Sequence, residues 1–198
     1  MGGRTASTTT GILIDGNRYE ALKRFVYDRQ PDGDAGLDTR FDVWFQSSSE
    51  YSNYDFTKFL EPAKRQGLGN AYYPEIPIMR LSEIYYIACE AQIGKDNALA
   101  LQYLNDVRDN RNLSLIQTVP DDATLLEYLV REMRKDFIGD GRTFLMHKRL
   151  FYDIYTVRGE TVPASDNIFV IPIPDDEYEF SGIEKPGNTT DNNQSELL

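Results

Sequence analysis

The stretch that decides the fold is PIMRLSEIYYIACEAQIGKDNALALQYLNDVRDNRNL, residues 77–113. Pro77 suits the first turn of a helix, where its missing N–H would have had no partner. Ile78, Leu81, Tyr85 and Ala88 then recur at helical spacing, and Ile84, Ile87 and Ala91 widen the apolar face. So wide a face predicts a helix buried on several sides. Gly94 supplies the left-handed residue that ends it. Asp96 or Asn97 caps a second helix, whose inner face is Ala100, Leu101, Leu104 and Val107. A connection this short turns the two helices into an antiparallel hairpin.

A second hairpin reads from LLEYLVREMRKDFIGDGRTFLMHKRLF, residues 125–151. Thr124 and Glu127 have the spacing of a capping box. Leu126, Val130, Met133 and Phe137 form the expected core stripe, Gly139 and Gly141 break the helix, and a further helix is expected over about 143–152. Working outward, residues 15–27 read as a short helix and TRFDVWFQ (39–46) as a short strand, by its partial alternation and aromatic content. YDFTKFLEP (54–62) reads as extended, residues 67–75 as loop, and NIFVIPIPDDEYEF (167–180) as extended because proline punctuates a β-branched run. The expected fold is mainly α, with tetratricopeptide-like antiparallel helix pairs, irregular loops and a short extended C-terminal segment. Residues 1–11 are expected to be a disordered lead, 12–181 a helical domain, and 182–198 a flexible polar tail.

The 198 residues carry a net charge of −11, and 40% of them are hydrophobic. That charge repels a phosphate backbone and an anionic membrane surface. From Gly159 onward nine acidic residues stand against Lys185 alone, so most of the acidity belongs to the C-terminal part. One cysteine, Cys89, and one histidine, His147, give no disulfide and no zinc-ligand set. No run approaches the ~20 apolar residues of a spanning helix. No signal peptide is visible at the N-terminus, and no cofactor is expected.

Charged residues inside the helices have two readings. Arg80, Glu83 and Glu90 fall on one stripe of the first helix, and Glu132, Arg134, Asp136 and Arg142 crowd the later ones. A catalytic reading makes Glu83 or Glu132 a general acid. The structural reading makes these residues inter-helix ion pairs, the arginines standing close in sequence to the carboxylates. The second is favoured, because a paired carboxylate has a lowered pKa, the wrong direction for an acid. His147, beside Lys148 and Arg149, reads as a packing or surface residue. DRQPDGDAGLDT (28–39) has calcium-loop ligand types at its first positions but Thr39 at the twelfth, so it reads as a solvated acidic turn. Aromatics outside the helices are candidate ligand contacts: Trp44, Tyr51, Tyr54, Tyr72 and Tyr73. A sugar ring's C–H face stacks on such a plane, although Trp44 with Phe41 and Phe45 also reads as local core.

Four blocks resemble the SusD/RagB family. PIMRLSEIYYIACEA is similar to that family's arginine–leucine helix and ALQYLNDVRDNRNL to the helix that follows it. REMRKDFIGDGRTFLMHKR resembles the E-G-x-R block, with Asp140 in place of its glutamate and Met146 where an aspartate is usual, and FVIPIPDDE resembles the closing F-P-I-P motif. DTRFD followed by KFLEP looks like the stretch that precedes the first block. The resemblance implies a surface lipoprotein of Bacteroidetes that binds glycans or other large nutrients for polysaccharide utilisation. Its partner would be a TonB-dependent, SusC-like transporter of the outer membrane. Family members are normally longer, so the chain is expected to be a C-terminal portion, with the lipid anchor in the preceding part. The implied function is non-catalytic glycan binding. The alternative is a pure protein-interaction module docking on the transporter. A glycoside hydrolase would need two carboxylates facing across a cleft, and no pair in the sequence stands out.

Overall fold

The computed structural model describes residues 12–27, 38–47, 54–59 and 78–180. The expectations for 1–11, the acidic turn at 28–37, the loop at 67–75, Pro77, the tail at 182–198, and Tyr51, Tyr72 and Tyr73 lie outside the described residues. The chain divides into two compact units, one ending at Pro163 and the other starting at Ala164.

The first unit begins with a small antiparallel sheet. β1 (Ile12–Ile14) and β2 (Phe45–Ser47) flank β3 (Tyr54–Phe56), with Ile14 opposite Tyr54 and Phe45 opposite Phe56. Between β1 and β2 lie α1 (Gly16–Leu22), capped by Asp15, and α2 (Thr39–Trp44). The residues expected as a strand over 39–46 are therefore mostly helical. The reason is Asp38, whose side chain accepts from Arg40 N at 3.1 Å and starts a helical turn before the β-rich composition can act. A π-helical turn over Lys23–Tyr27 widens the end of α1 and places Val26 and Tyr27 inward. Leu22, Val26, Tyr27, Phe41, Phe45 and Phe56 form one buried aromatic-rich core.

The helical body follows. α3 (Leu81–Gln92) and α4 (Asn97–Asp109) pack along each other, with Gly94 at φ +76° and Asp96 as the second helix's cap. α5 (Asp122–Asp136) packs on both, and α6 (Arg142–Leu150) follows after Gly139 and Gly141. The N-cap of α5 is Asp121, accepting from Thr124 N at 2.8 Å, rather than Thr124, and Glu127 pairs with Arg131. An aspartate one turn earlier satisfies the free N–H groups as well as a threonine does. The core stripe of α5 is Leu125, Leu129, Val130 and Met133. With Tyr86, Cys89, Ala100, Leu101, Leu104 and Val107 these side chains fill a second core. Burying each such aliphatic chain is worth ~1.5–3 kcal/mol.

α3 corrects a further expectation. It buries Tyr86 and Cys89, while Ile84 is 47% exposed, Ile87 62% and Leu81 73%. The wide apolar face is buried on one side only, and the other side is left open among the described residues. A short hairpin, β4 (Ile154–Tyr155) and β5 (Thr161–Val162), closes the unit. In the second unit, α7 (Asp166–Phe169) and α8 (Asp175–Phe180) replace part of the expected extended run. Between them, around Pro172, the backbone forms neither helix nor strand, and Pro174 directly precedes α8, where its fixed φ favours a helix start.

Gly139 has φ +78°, and a Cβ there would stand 2.6 Å from Phe56 Cε1; Gly141 has φ +72° with nothing within 4 Å. Gly141→Ala should cost only the conformational penalty, ~1–2 kcal/mol. Gly139→Ala should cost clearly more, because the Phe56 ring must also move. Equal losses in urea unfolding would refute the close approach.

Candidate functional site

α5 carries a second face, opposite in character to its apolar stripe. Glu132, Lys135 and Asp136 are spaced i, i+3 and i+4, so they project together. All three are at most 1% exposed. Arg40 of α2 reaches this face, with Nη2 at 2.7 Å from Glu132 Oε2 and 2.6 Å from Asp38 Oδ2, and Nη1 at 2.9 Å from Asp136 Oδ1. Arg108 of α4 donates to Glu132 Oε1 at 3.1 Å, and Lys135 donates to the same oxygen at 2.9 Å. Tyr86 Oη donates to Asp136 Oδ2 at 2.6 Å, and Tyr27 Oη donates to the Lys135 carbonyl at 3.1 Å. Three cations thus meet three anions in the interior, with the part-exposed Arg111 3.7 Å from Asp136 Oδ1.

Burial pushes the Glu132 carboxyl up, but Lys135, Arg40 and Arg108 together outweigh it and hold it well below the usual carboxylate range. Asp136 moves the same way, burial being outweighed by Arg40, Arg111 and the Tyr86 hydrogen bond. Burial lowers the Lys135 amine against the pull of Glu132. Burial raises both phenols, Tyr27 and Tyr86. Carboxylates so held accept hydrogen bonds and are poor proton donors at neutral pH.

A second polar knot sits at the C-terminal end of α5. Lys58 donates to the Ile138 carbonyl at 2.8 Å and to Asp140 Oδ1 at 2.9 Å, and Arg80 also pairs with Asp140. Burial pulls the Lys58 amine down to about 8, against the Asp140 hydrogen bond. A lysine on carbonyls at a helix C-terminus also matches the dipole's sign.

The sequence placed the partners of these residues differently. Glu132 pairs with Arg40 and Arg108, far away in the chain, and not with its neighbour Arg134. Residues two apart on a helix point in different directions, and Arg134 instead donates to the Tyr155 carbonyl at 2.6 Å. Glu83 pairs with Arg142, and Glu90 pairs bidentately with Arg149 at 2.6 and 2.7 Å. These two pairs are not interior. They flank an open groove of about 530 Å³ between α3 and α6, lined among others by Ile87, Ala91, Met133, Phe137 and Leu145.

Two of the candidate ligand aromatics are described. Trp44 is half-buried against the N-terminal core, and the Lys58 amine lies 4.7 Å from its ring centre. Tyr54 stacks on Tyr19, with ring centres 3.5 Å apart and planes 4° apart. Each therefore already has one ring face engaged. His147 is buried, with Nδ1 3.3 Å from the Tyr152 carbonyl, and burial lowers its pKa. Asp38, from the calcium-like stretch, is committed to Arg40. Among the described residues no cluster of three or more His, Cys, Asp or Glu side chains is placed to hold a metal ion.

Glu132→Ala would leave Arg40, Arg108 and Lys135 short of an anion in the interior. The expected loss is ~3–5 kcal/mol in urea unfolding. Glu132 also contributes to the pH dependence. Its folded pKa lies below the unfolded value of ~4.3, so its contribution is complete above that pH. As pH falls further the unfolded chain takes the proton first, and stability drops. Glu132→Gln should flatten the acid limb of the stability curve. An acid limb identical to that of the wild type would contradict the pairing.

No curated protein and no solved structure gives a significant match to this chain. A model of the SusD family matches residues 12–194, nearly the whole length. With a mainly α-helical body of packed helix pairs beneath that match, the chain belongs to the SusD family.

Proposed function

We propose that this chain holds an oligosaccharide or polysaccharide at the outer face of the outer membrane and passes it to a TonB-dependent, SusC-like transporter. The observation that carries this reading is the family match over residues 12–194. SusD-family proteins are non-catalytic. The locked carboxylates Glu132 and Asp136 fit a body built to hold shape rather than to shuttle protons. The packing of α3, α4, α5 and α6 supports a tetratricopeptide-like stack as the scaffold. No helix among the described residues is long and apolar enough to cross a membrane, and attachment through a lipid anchor fits that. The sugar-facing aromatics are proposed to be Tyr51, Tyr72 and Tyr73, joined by Tyr54 and Trp44.

A second reading has an observation of its own. Ile84, Ile87 and Leu145 are 47%, 62% and 60% exposed, on the two helices beside the 530 Å³ groove. Exposed apolar side chains of this kind favour a protein contact. On this reading the α3–α6 face docks on the transporter and the chain binds no sugar itself.

A glycan array followed by calorimetry separates the two. Saturable polysaccharide binding that is lost on replacing Tyr72 and Tyr73 with alanine supports the first reading. Transporter binding that is lost in Ile87→Glu, with no sugar affinity, supports the second. Release of reducing sugar would overturn both.

A further inference from the structure

The two ion pairs on the rim of the α3–α6 groove are in register. Arg142 donates to Glu83 and Arg149 to Glu90, and the members of each pair are 59 residues apart in the chain. Because the offset stays the same from Glu83 to Glu90, α3 and α6 run side by side in one direction. The two bridges are about two helical turns apart, ~10 Å along the groove. Between them the lining is apolar: Ile87 and Ala91 from α3, Leu145 and Met146 from α6, and Met133 and Phe137 from α5. Ile84 stands two turns before Ala91 and shares its side of α3.

The charges on this face are sorted by helix. α3 carries Glu83 and Glu90 and no basic residue, whereas α6 carries Arg142, Lys148 and Arg149 and no acidic one. An acidic row therefore runs along one side of the groove and a basic row along the other. Their mutual pairing leaves both reachable, since the Arg149 and Arg142 side chains are 58% and 32% exposed, and those of Glu90 and Glu83 27% and 24%. A partner surface of one charge sign gains from one row and loses to the other. A second copy, turned about an axis lying along the groove, avoids that conflict. It lays its α6 over α3 and its α3 over α6, so that each acidic row meets a basic one. A two-fold axis across the helices would instead set α3 on α3, acid on acid. Only the first self-complementary arrangement matches both rows.

We propose that the α3–α6 face is a homodimer interface, with the two-fold axis running along the groove. The same 59-residue offset sets Ile87 level with Met146, next to Leu145. In the dimer Ile87, 62% exposed, therefore covers Leu145 of the second copy, itself 60% exposed. The inference stands apart from the uptake role, since it uses only the charge order and apolar lining of this face. Twelve residues of α3 make the face ~18 Å long, and two helices side by side make it ~20 Å wide. That is the small, transient end of specific interfaces, so the Kd should be on the order of 10 μM.

Sedimentation equilibrium of the whole chain tests this. The wild type should pass from monomer to dimer near that concentration and go no further, because a two-fold contact closes on itself. Ile87→Glu should raise the Kd ~100-fold or more by placing a carboxylate against apolar surface, with the circular dichroism spectrum unchanged. Charge swaps separate a contact between copies from a pair that matters only inside each chain. Glu90→Arg and Arg149→Glu, each alone, should be monomeric where the wild type is dimeric. Mixed in equal amounts, they should form a one-to-one heterodimer, because every row again faces its opposite. The doubly swapped chain should dimerise with itself and not with the wild type. A wild type that stays monomeric up to ~1 mM overturns the proposal. So does a dimer that Ile87→Glu leaves intact, a mixture of the single variants that stays monomeric, or a doubly swapped chain that pairs freely with the wild type. A chain that is monomeric throughout but binds polysaccharide or transporter leaves the corresponding functional reading standing and removes this one.

Discussion

The structure depends on Arg40. It sits on a six-residue helix at the edge of a three-stranded sheet, yet its guanidinium ends inside the helical body, 2% exposed. There it joins Asp38, Glu132 and Asp136 through four hydrogen bonds. Ions in such a place are tolerated only when their charges balance and their lone pairs are filled. Here Arg40, Arg108 and Lys135 face Asp38, Glu132 and Asp136. The arrangement couples two cores that have no apolar continuity of their own making: the aromatic cluster around Phe41 and the aliphatic cluster around Leu129.

This gives α5 an unusual division of labour. Its Leu125, Leu129 and Met133 face belongs to the hairpin core, and its Glu132 and Asp136 face belongs to the junction with α2. Neither of these two faces is left for water, so Glu132, Lys135 and Asp136 are as buried as Leu125 and Leu129. Lys58 and Arg80 extend the junction to the end of α5 through Asp140, and so tie the turn after β3 and the start of α3 to one carboxylate. The apolar side of α3, with Ile84 and Ile87, stays open to solvent among the described residues.

Much of the helical body was legible from local pattern. The inner face of α4, from Ala100 to Val107, follows from its spacing, and Gly94 marks a real left-handed stop. In the α5 stripe Val130, Met133 and Phe137 are buried as their spacing implied, and Leu125 and Leu129 are buried where Leu126 is only half-buried; the cap is Asp121 and not Thr124. The α3 face was over-read: periodicity measures how much of a helix is apolar, not how much of it is covered.

Composition and spacing alone determined the helix pairs and the need for the buried charges to be paired. They did so because helical periodicity and capping are local, and a charge inside an apolar run demands an opposite charge wherever the chain leads. Only the tertiary structure decided which charges meet. Glu132 and Arg40 are 92 residues apart, and no local rule brings them together. Packing alone put Glu83 and Glu90 beside an open groove and Glu132 in the interior, since desolvation depends on what other segments cover and not on the residue itself.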